Sequence, residues 1–269
     1  GAESWVDESA AATGSDTGNL LARLEGSVSV PPIVLCAHMD TVGPAENIRV
    51  RFADGVFTSD GTTILGADDK SSIAVLLEAL QVARERAIAH GPLELVFTTC
   101  EEIGLTGAKN LDFSRIRSRF GYALDASDTE GIITRSPSAD RFEIRVVGRD
   151  AHAGAHPEKG INAIHLAAKA MAGLSIGRSD HVTTCTIGVI EGGSATNIVP
   201  PLVTLRGEAR SHDEEKLERV TQDILEAFEK TASGHRSPEE ADGLPRVESR
   251  VRRRYHRTHI AEDHPLVSL

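Results

Sequence analysis

Three short apolar runs each end in ionisable residues, and this repeated ending is the tightest constraint the sequence places on a fold. "PPIVLCA" (31–37) runs into His38 and Asp40 of "HMDTV". "LELVFTT" (93–99) runs into Glu101 and Glu102, and the weaker "RFGYALD" (119–125) ends on Asp125. Continuous apolar runs of this length suit strands covered on both faces. Between the first two lies "SSIAVLLEALQVARERAIAH" (71–90), with Ile73, Leu76, Leu77, Leu80 and Ala87 at helical spacing and Ser71 or Asp69 placed to cap it. Strands alternating with a helix predict an α/β layer with a mostly parallel sheet.

The pattern changes near residue 140. "RFEIRVVG" (141–148) alternates strictly, with Phe142, Ile144 and Val146 on one side. "INAIHLAAKAMAGL" (161–174) reads as a helix, and "HVTTCTIGVI" (181–190) and "PLVTLRGEAR" (201–210) read as strands. "DEEKLERVTQDILEAFEKTA" (213–232) carries Leu217, Val220, Ile224, Leu225 and Phe228 on one helical stripe, and "RVESRVRRRYHRTHI" (246–260) reads as a last strand. The order β-α-β-β-α-β predicts a ferredoxin-like α+β unit inserted after the first domain.

Composition narrows the partners. The 269 residues include 40 Asp plus Glu against 29 Lys plus Arg, a net charge of −11, and only 4% are aromatic. A phosphate backbone is repelled on average and a base-stacking surface is not supplied, so no nucleic-acid partner is expected. The basic stretch "RVRRRYHR" (250–257) reads as a solvated strand face. Three widely spaced cysteines, Cys36, Cys100 and Cys185, do not resemble a disulfide framework and point to a reducing compartment, the cytoplasm. No apolar run approaches the ~20 residues needed to span a bilayer, so no membrane partner is expected.

In open α/β sheets, ligands bind beyond the carboxyl ends of the strands. That edge is where His38, Asp40, Glu101, Glu102 and Asp125 fall, together with the adjacent pair Asp68 and Asp69 of "GADDKSS". Carboxylates forced together repel one another unless cations neutralise them. One or two imidazoles among several carboxylates suit zinc, manganese or cobalt, and a shared carboxylate can hold two metals ~3.5–4 Å apart. On an extended segment His38 and Asp40 share a side, so Asp40 can orient the imidazole. Neighbours Glu101 and Glu102 diverge, which leaves one for metal and the other as a general base.

"HMDTV", "GTTILGADDKSSIA", "EEIGLTGAK", "LD" (124–125), "HAGAHPEKGINAI" and "GGSATNIVPP" resemble the di-zinc peptidase family of tripeptidase T, glutamate carboxypeptidase, aminoacylase and succinyl-diaminopimelate desuccinylase, and "DGTTILGADDK" looks most like the tripeptidase T branch. The resemblance implies a catalytic α/β domain over 1–139, a lid or dimerisation domain over 140–261, and a return to the catalytic domain from 262 to 269. It implies two zinc ions per subunit, with cobalt or manganese as substitutes. His38 and Asp125 would bind the first metal, Asp68 would bridge, Glu102 would bind the second, and Glu101 would be the general base. Asp40 would orient His38, and Asp69 would cap the helix outside the metal shell. His152 would reach across a homodimer to the oxyanion, the alternative being a plain turn residue. Asn197 and Arg210 would bind the substrate's carbonyl and terminal carboxylate. The implied substrate is a short peptide, or alternatively an N-acyl amino acid. The family's opening helix and its late histidine ligand have no counterpart here, so a truncated chain, and even an inactive fragment that mainly dimerises, is a further expectation.

Overall fold

Contacts within the chain divide it into two compact units, one ending at Gly131 and one running from Ile132 to Ser268. The structure is a computed structural model and describes residues 2–235 and 243–268.

The first unit contains β1 (Glu3–Val6), a short helix α1 (Ala10–Thr13), β2 (Leu20–Leu24) and β3 (Ile33–His38). A hairpin of β4 (Arg51–Ala53) and β5 (Val56–Thr58) follows, then α2 (Ala67–Glu85), β6 (Leu93–Thr98), α3 (Thr106–Lys109) and β7 (Gly121–Ala123). The sheet order is β1-β2-β6-β3-β7. β6, β3 and β7 are parallel, whereas β2 and β1 add to the β6 edge antiparallel. The parallel expectation therefore holds for the three strands that carry the ionisable ends, and the sheet as a whole is mixed.

Ala22, Ala37, Leu95 and Phe97 bury one sheet face together with Leu76 of α2. On the other face Trp5, Leu21 and Val96 lie in register across three strands. Ile73 and Leu80 pack partly against the core, but Leu77 is 52% exposed, so the helical stripe is narrower than its spacing suggests. The expected side-chain cap of α2 is absent. Gly66, at φ 71°, occupies the cap position, and the Ser71 hydroxyl turns back to donate to the Ala67 carbonyl. Asp68 and Asp69 lie outside helical φ/ψ, which frees both carboxylates from the helix start. The sequence reading missed β1 and the β4–β5 hairpin. The hairpin is held by Phe52 against Phe57 at 4.5 Å, and both rings are exposed, so no burial pattern marks them.

The second unit opens with β8 (Arg135–Ser136) and β9 (Ser138–Val147), continues through α4 (Ala163–Ala172), β10 (Gly177–Arg178), β11 (Thr183–Gly192), β12 (Leu202–Ser211) and α5 (Glu214–Ser233), and closes with β13 (Arg246–Tyr255) and β14 (Thr258–His259), the last pairing with β8. The main sheet runs β10-β11-β12-β9-β13 with every neighbour antiparallel. With β9 between β12 and the last long strand β13, this is the ferredoxin-like split unit. Phe142, Ile144 and Val146 of β9 and Val203, Leu205 and Ala209 of β12 pack against Leu166 and Ala167 of α4 and Leu217, Ile224 and Phe228 of α5. Gly207 is required beneath this core, because a Cβ there would sit 2.3 Å from the Phe142 ring. Asp213 caps α5 by accepting the Lys216 N–H at 3.1 Å. The basic stretch of β13 is largely solvated, but Arg253 turns to the helix side and pairs with Asp140 at 2.5 Å and Glu214 at 3.3 Å. Among the described residues no helix is long and apolar enough to cross a membrane.

One buried carboxylate fastens the first unit. Glu94, 4% exposed, faces Arg23 across the β2–β6 pair at 3.1 Å and accepts the N–H groups of Arg117 and Ser118 and the Ser118 hydroxyl. Burial alone would raise its pKa, but these bonds together outweigh burial and hold it below the ordinary 4.5. Its charge therefore stabilises the fold fully above pH 4.5, and that contribution fades as pH falls through the lowered folded value. Glu94→Gln is expected to cost about 2–4 kcal/mol near pH 7, since it removes the buried charge shared by Arg23, the Arg117 and Ser118 N–H groups and the Ser118 hydroxyl. Thermal unfolding of both proteins from pH 7 down to pH 3 should show the gap in Tm shrinking toward acid; a gap constant with pH contradicts this account.

Candidate metal centre

Parallel pairing puts the carboxyl ends of β6, β3 and β7 on one edge. His38 is the last residue of β3, the loop after β6 carries Glu101 and Glu102, and Asp125 follows β7, where the Leu124 N–H still bonds to the Cys36 carbonyl at 2.9 Å. The non-helical first turn of α2 brings Asp68 and Asp69 to the same place. One ligand atom each of His38, Asp68 and Glu102 lie within 4.8 Å of one another, and the same is true of His38, Asp69 and Asp125.

His38 is the hub. Its side chain is 3% exposed, and Nε2 lies 3.0 Å from Asp68 Oδ1 and 4.0 Å from Asp125 Oδ1. Nδ1 lies 3.0 Å from the Asp40 backbone carbonyl and 3.4 Å from the Asp40 carboxylate. With Nδ1–H donating to that carbonyl, the Nε2 lone pair faces the acidic cluster, the tautomer a metal ligand needs. The Asp40 carboxylate is mainly engaged elsewhere. It accepts the backbone N–H of Glu101 at 3.0 Å and of Glu102 at 3.1 Å, so one short side chain ties the His38 loop to the Glu101–Glu102 loop.

Asp69 is placed differently from the cap reading. It is 3% exposed, and its Oδ2 accepts the His38 backbone N–H at 3.1 Å. It thereby fastens the start of α2 to the end of β3. A twin aspartate carries no sign of this in the sequence, because the partner is a backbone amide 31 residues away.

The electrostatics follow from crowding. Burial, then the charges of Asp125, Glu102 and Asp40, raise the Glu101 pKa against the opposing pull of His38. Burial and the Asp68 and Asp69 carboxylates likewise raise Asp125. Burial alone would lower His38, but Asp68, Asp125, Asp40 and Glu101 together raise it. Carboxyl groups pushed toward their neutral form around a buried imidazole fit a cation, since a positive ion reverses each of these shifts. One imidazole among carboxylates suits a borderline divalent metal such as zinc, cobalt or manganese.

The remaining candidate residues lie in the second unit. His152 is exposed, and its Nδ1 accepts the N–H groups of Gly154 at 3.2 Å and Ala155 at 3.1 Å, so it does close a turn and carries its proton on the outward Nε2. The Ala153 N–H bonds to the Asn197 carbonyl at 2.9 Å, and His152 bridges to Ile198, which brings the His152 and Asn197 segments together. Arg210 is not with them. It sits at the far end of β12, eight residues beyond Leu202, or roughly 27 Å along a strand. There its Nε donates to Glu208 at 2.5 Å on the helix-free face.

Comparison with known proteins bears on the identity. The M20 peptidase dimerisation-domain model matches residues 136–236, and an M42 glutamyl aminopeptidase model matches residues 53–143. An uncharacterized Bacillus subtilis protein, YqjE, is 43% identical over 228 residues, which are 84% of this chain and 62% of the relative. Thus the chain spans less than two thirds of that relative's length. An aminopeptidase PepT from Bacillus cereus superposes with a TM-score of 0.89 at 40% identity, covering 99% of this chain and 70% of its own. A tripeptidase from Staphylococcus aureus superposes at 0.93 with 39% identity, covering 100% and 70%.

If the acidic edge holds cations, zinc should raise Tm. At a hundredfold excess over Kd the gain is about 2.7 kcal/mol. His38→Ala is expected to remove most of it, as read by thermal melts with and without zinc; an equal zinc effect in the variant would exclude His38 as a ligand.

Proposed function

Because the chain belongs to the M20 metallopeptidase family, in its tripeptidase T-like branch, we propose that it hydrolyses peptide bonds of short peptides through a two-metal centre built on His38. The observation that carries the reading is the cluster in which His38 Nε2 meets Asp68 at 3.0 Å and Asp125 at 4.0 Å, with Glu102 completing a second set through Asp68. His38 and Asp125 hold the first ion, Asp68 is shared, and Glu102 serves the second. Zinc is the ion we assign, with cobalt or manganese able to substitute. When bound, such a pair polarises the scissile carbonyl and acidifies the attacking water.

The chain's own groups do the rest. Glu101 takes a proton from the attacking water, holds it on its carboxylate and passes it to the leaving amine; a pKa raised by burial suits a base that must also act as an acid. Asp40 keeps the His38 ring turned toward the acidic cluster and fixes the backbone of Glu101 and Glu102. Arg210 pairs with the substrate's terminal carboxylate, a task suited to its forked donors. His152 offers its Nε2–H, and Asn197 its amide, to the developing oxyanion. A tripeptide extends only roughly 10 Å, so it cannot bridge the roughly 27 Å between the His152–Asn197 end and Arg210. That separation supports a homodimer in which His152 and Asn197 of one copy serve the site of the other. Three free cysteines fit the reducing cytoplasm.

Glu101→Gln should keep its zinc, measured by metal analysis, while kcat on tripeptides falls by about 10²–10⁴-fold. Undiminished turnover would remove Glu101 as the base. Turnover of N-acyl amino acids without turnover of tripeptides would replace the peptide with an acyl substrate.

A further inference from the structure

Asn19 has no exposed surface, and it reaches both ends of the loop that carries Glu101 and Glu102. Its Oδ1 accepts the Thr99 N–H at 3.0 Å, and its Nδ2 donates to the Gly107 carbonyl at 3.0 Å. Nδ2 also donates to Asp7 Oδ2 at 2.8 Å. The backbone N–H of Asn19 is held by Asp7 Oδ1 at 2.8 Å and the Ser9 hydroxyl at 3.1 Å, and the Ser9 hydroxyl in turn donates to Asp7 Oδ1 at 2.5 Å. Both donor hydrogens and the acceptor of the amide are thus in use, which fixes its orientation.

The two ends of the loop pass so closely that only glycine fits at its exit. A Cβ on Gly107 would lie 1.9 Å from the Thr99 carbonyl oxygen and 2.7 Å from Asn19 Oδ1. Between these ends the backbone takes a shape that its residues do not favour on their own. Cys100 and Leu105 have φ of 56° and 60°. The Leu105 N–H bonds back to the Glu101 carbonyl at 2.8 Å, and the Thr106 N–H to the Cys100 carbonyl at 3.0 Å. The tip is held by Asp40 through the N–H groups of Glu101 and Glu102. At the base Asn19 is the side chain bonded to both ends. Breaking either of its bonds would strand a buried backbone group away from water.

We propose that Asn19, oriented by Asp7, is a positioning residue for the metal centre: it clamps the base of the 99–107 loop and so sets where Glu101 and Glu102 stand. The proposal rests on the reading of those two glutamates as base and ligand. It makes the segment from Asp7 to Asn19 part of the machinery, although none of its side chains belongs to the acidic cluster.

The test compares Asn19→Ala with Glu94→Gln, a variant that weakens the same unit away from this loop. Zinc alone is titrated into each by calorimetry at a temperature where all are folded, and amide exchange over residues 99–107 is measured without metal. Asn19→Ala is expected to lose at least about tenfold in zinc affinity and to exchange the loop amides severalfold faster, with Glu94→Gln matching the parent in the exchange of those amides. If Asn19→Ala does not fold, Asp7→Asn keeps the size of the orienting side chain, gives up the charge that holds the Asn19 N–H and Nδ2, and should show the same two changes in smaller measure. Parent-like exchange, or parent-like zinc affinity, in the folded variant overturns the proposal. A parent chain that takes up no zinc overturns the metallopeptidase reading instead, and the exchange measurement then decides the clamp by itself.

Discussion

Carboxylates that share one edge of a sheet repel one another, and the first unit is organised around that repulsion. Asp40, Asp68, Asp69, Glu101, Glu102 and Asp125 all gather about the buried His38 ring. Backbone amides engage two of the six. Asp40 takes the N–H groups of Glu101 and Glu102, and Asp69 takes that of His38. Those bonds tie three chain segments together at the carboxyl ends of β3 and β6 and the start of α2. Among the described residues the other four accept no backbone amide, and their crowding is what a divalent cation would relieve.

The scaffold beneath supplies rigidity through ordinary burial. Leu95 and Phe97 on one face of β6 and Val96 on the other leave little freedom to the strand that delivers the glutamates. Glu94 secures the segment ahead of β7, and Asn19 secures the loop after β6. Buried polar groups with every partner in place hold geometry more firmly than apolar contact alone, because each has no alternative partner. In the second unit the antiparallel sheet is a long rule with His152 and Asn197 at one end and Arg210 at the other. Strand length, rather than any local contact, sets the distance between these groups.

Much of this was legible in the residues. The apolar runs of β3 and β6, the strict alternation of β9 and the stripe of α5 follow from periodicity. The ferredoxin-like order follows from their succession. His38, Asp68, Glu102 and Asp125 stood out as strand-end or helix-start acids and imidazole. Other features left no mark. The β4–β5 hairpin exposes its aromatic pair, so no burial pattern betrays it. Leu77 fits the helical spacing yet faces out, because the sheet beneath α2 covers only part of that stripe. A lone asparagine such as Asn19 is the same letter whether it caps a turn or closes a loop.

By itself the sequence determined which side chains were available and the period at which they recur. Periodicity is a property of neighbours along the chain, so strands, helices and their acidic endings could be read directly. Only the tertiary structure decided what each carboxylate does. Asp68 and Asp69 are adjacent and chemically identical, yet one meets the His38 ring and the other the His38 backbone amide. That division depends on where β3 ends relative to α2, a relation between residues 30 positions apart that no local pattern encodes.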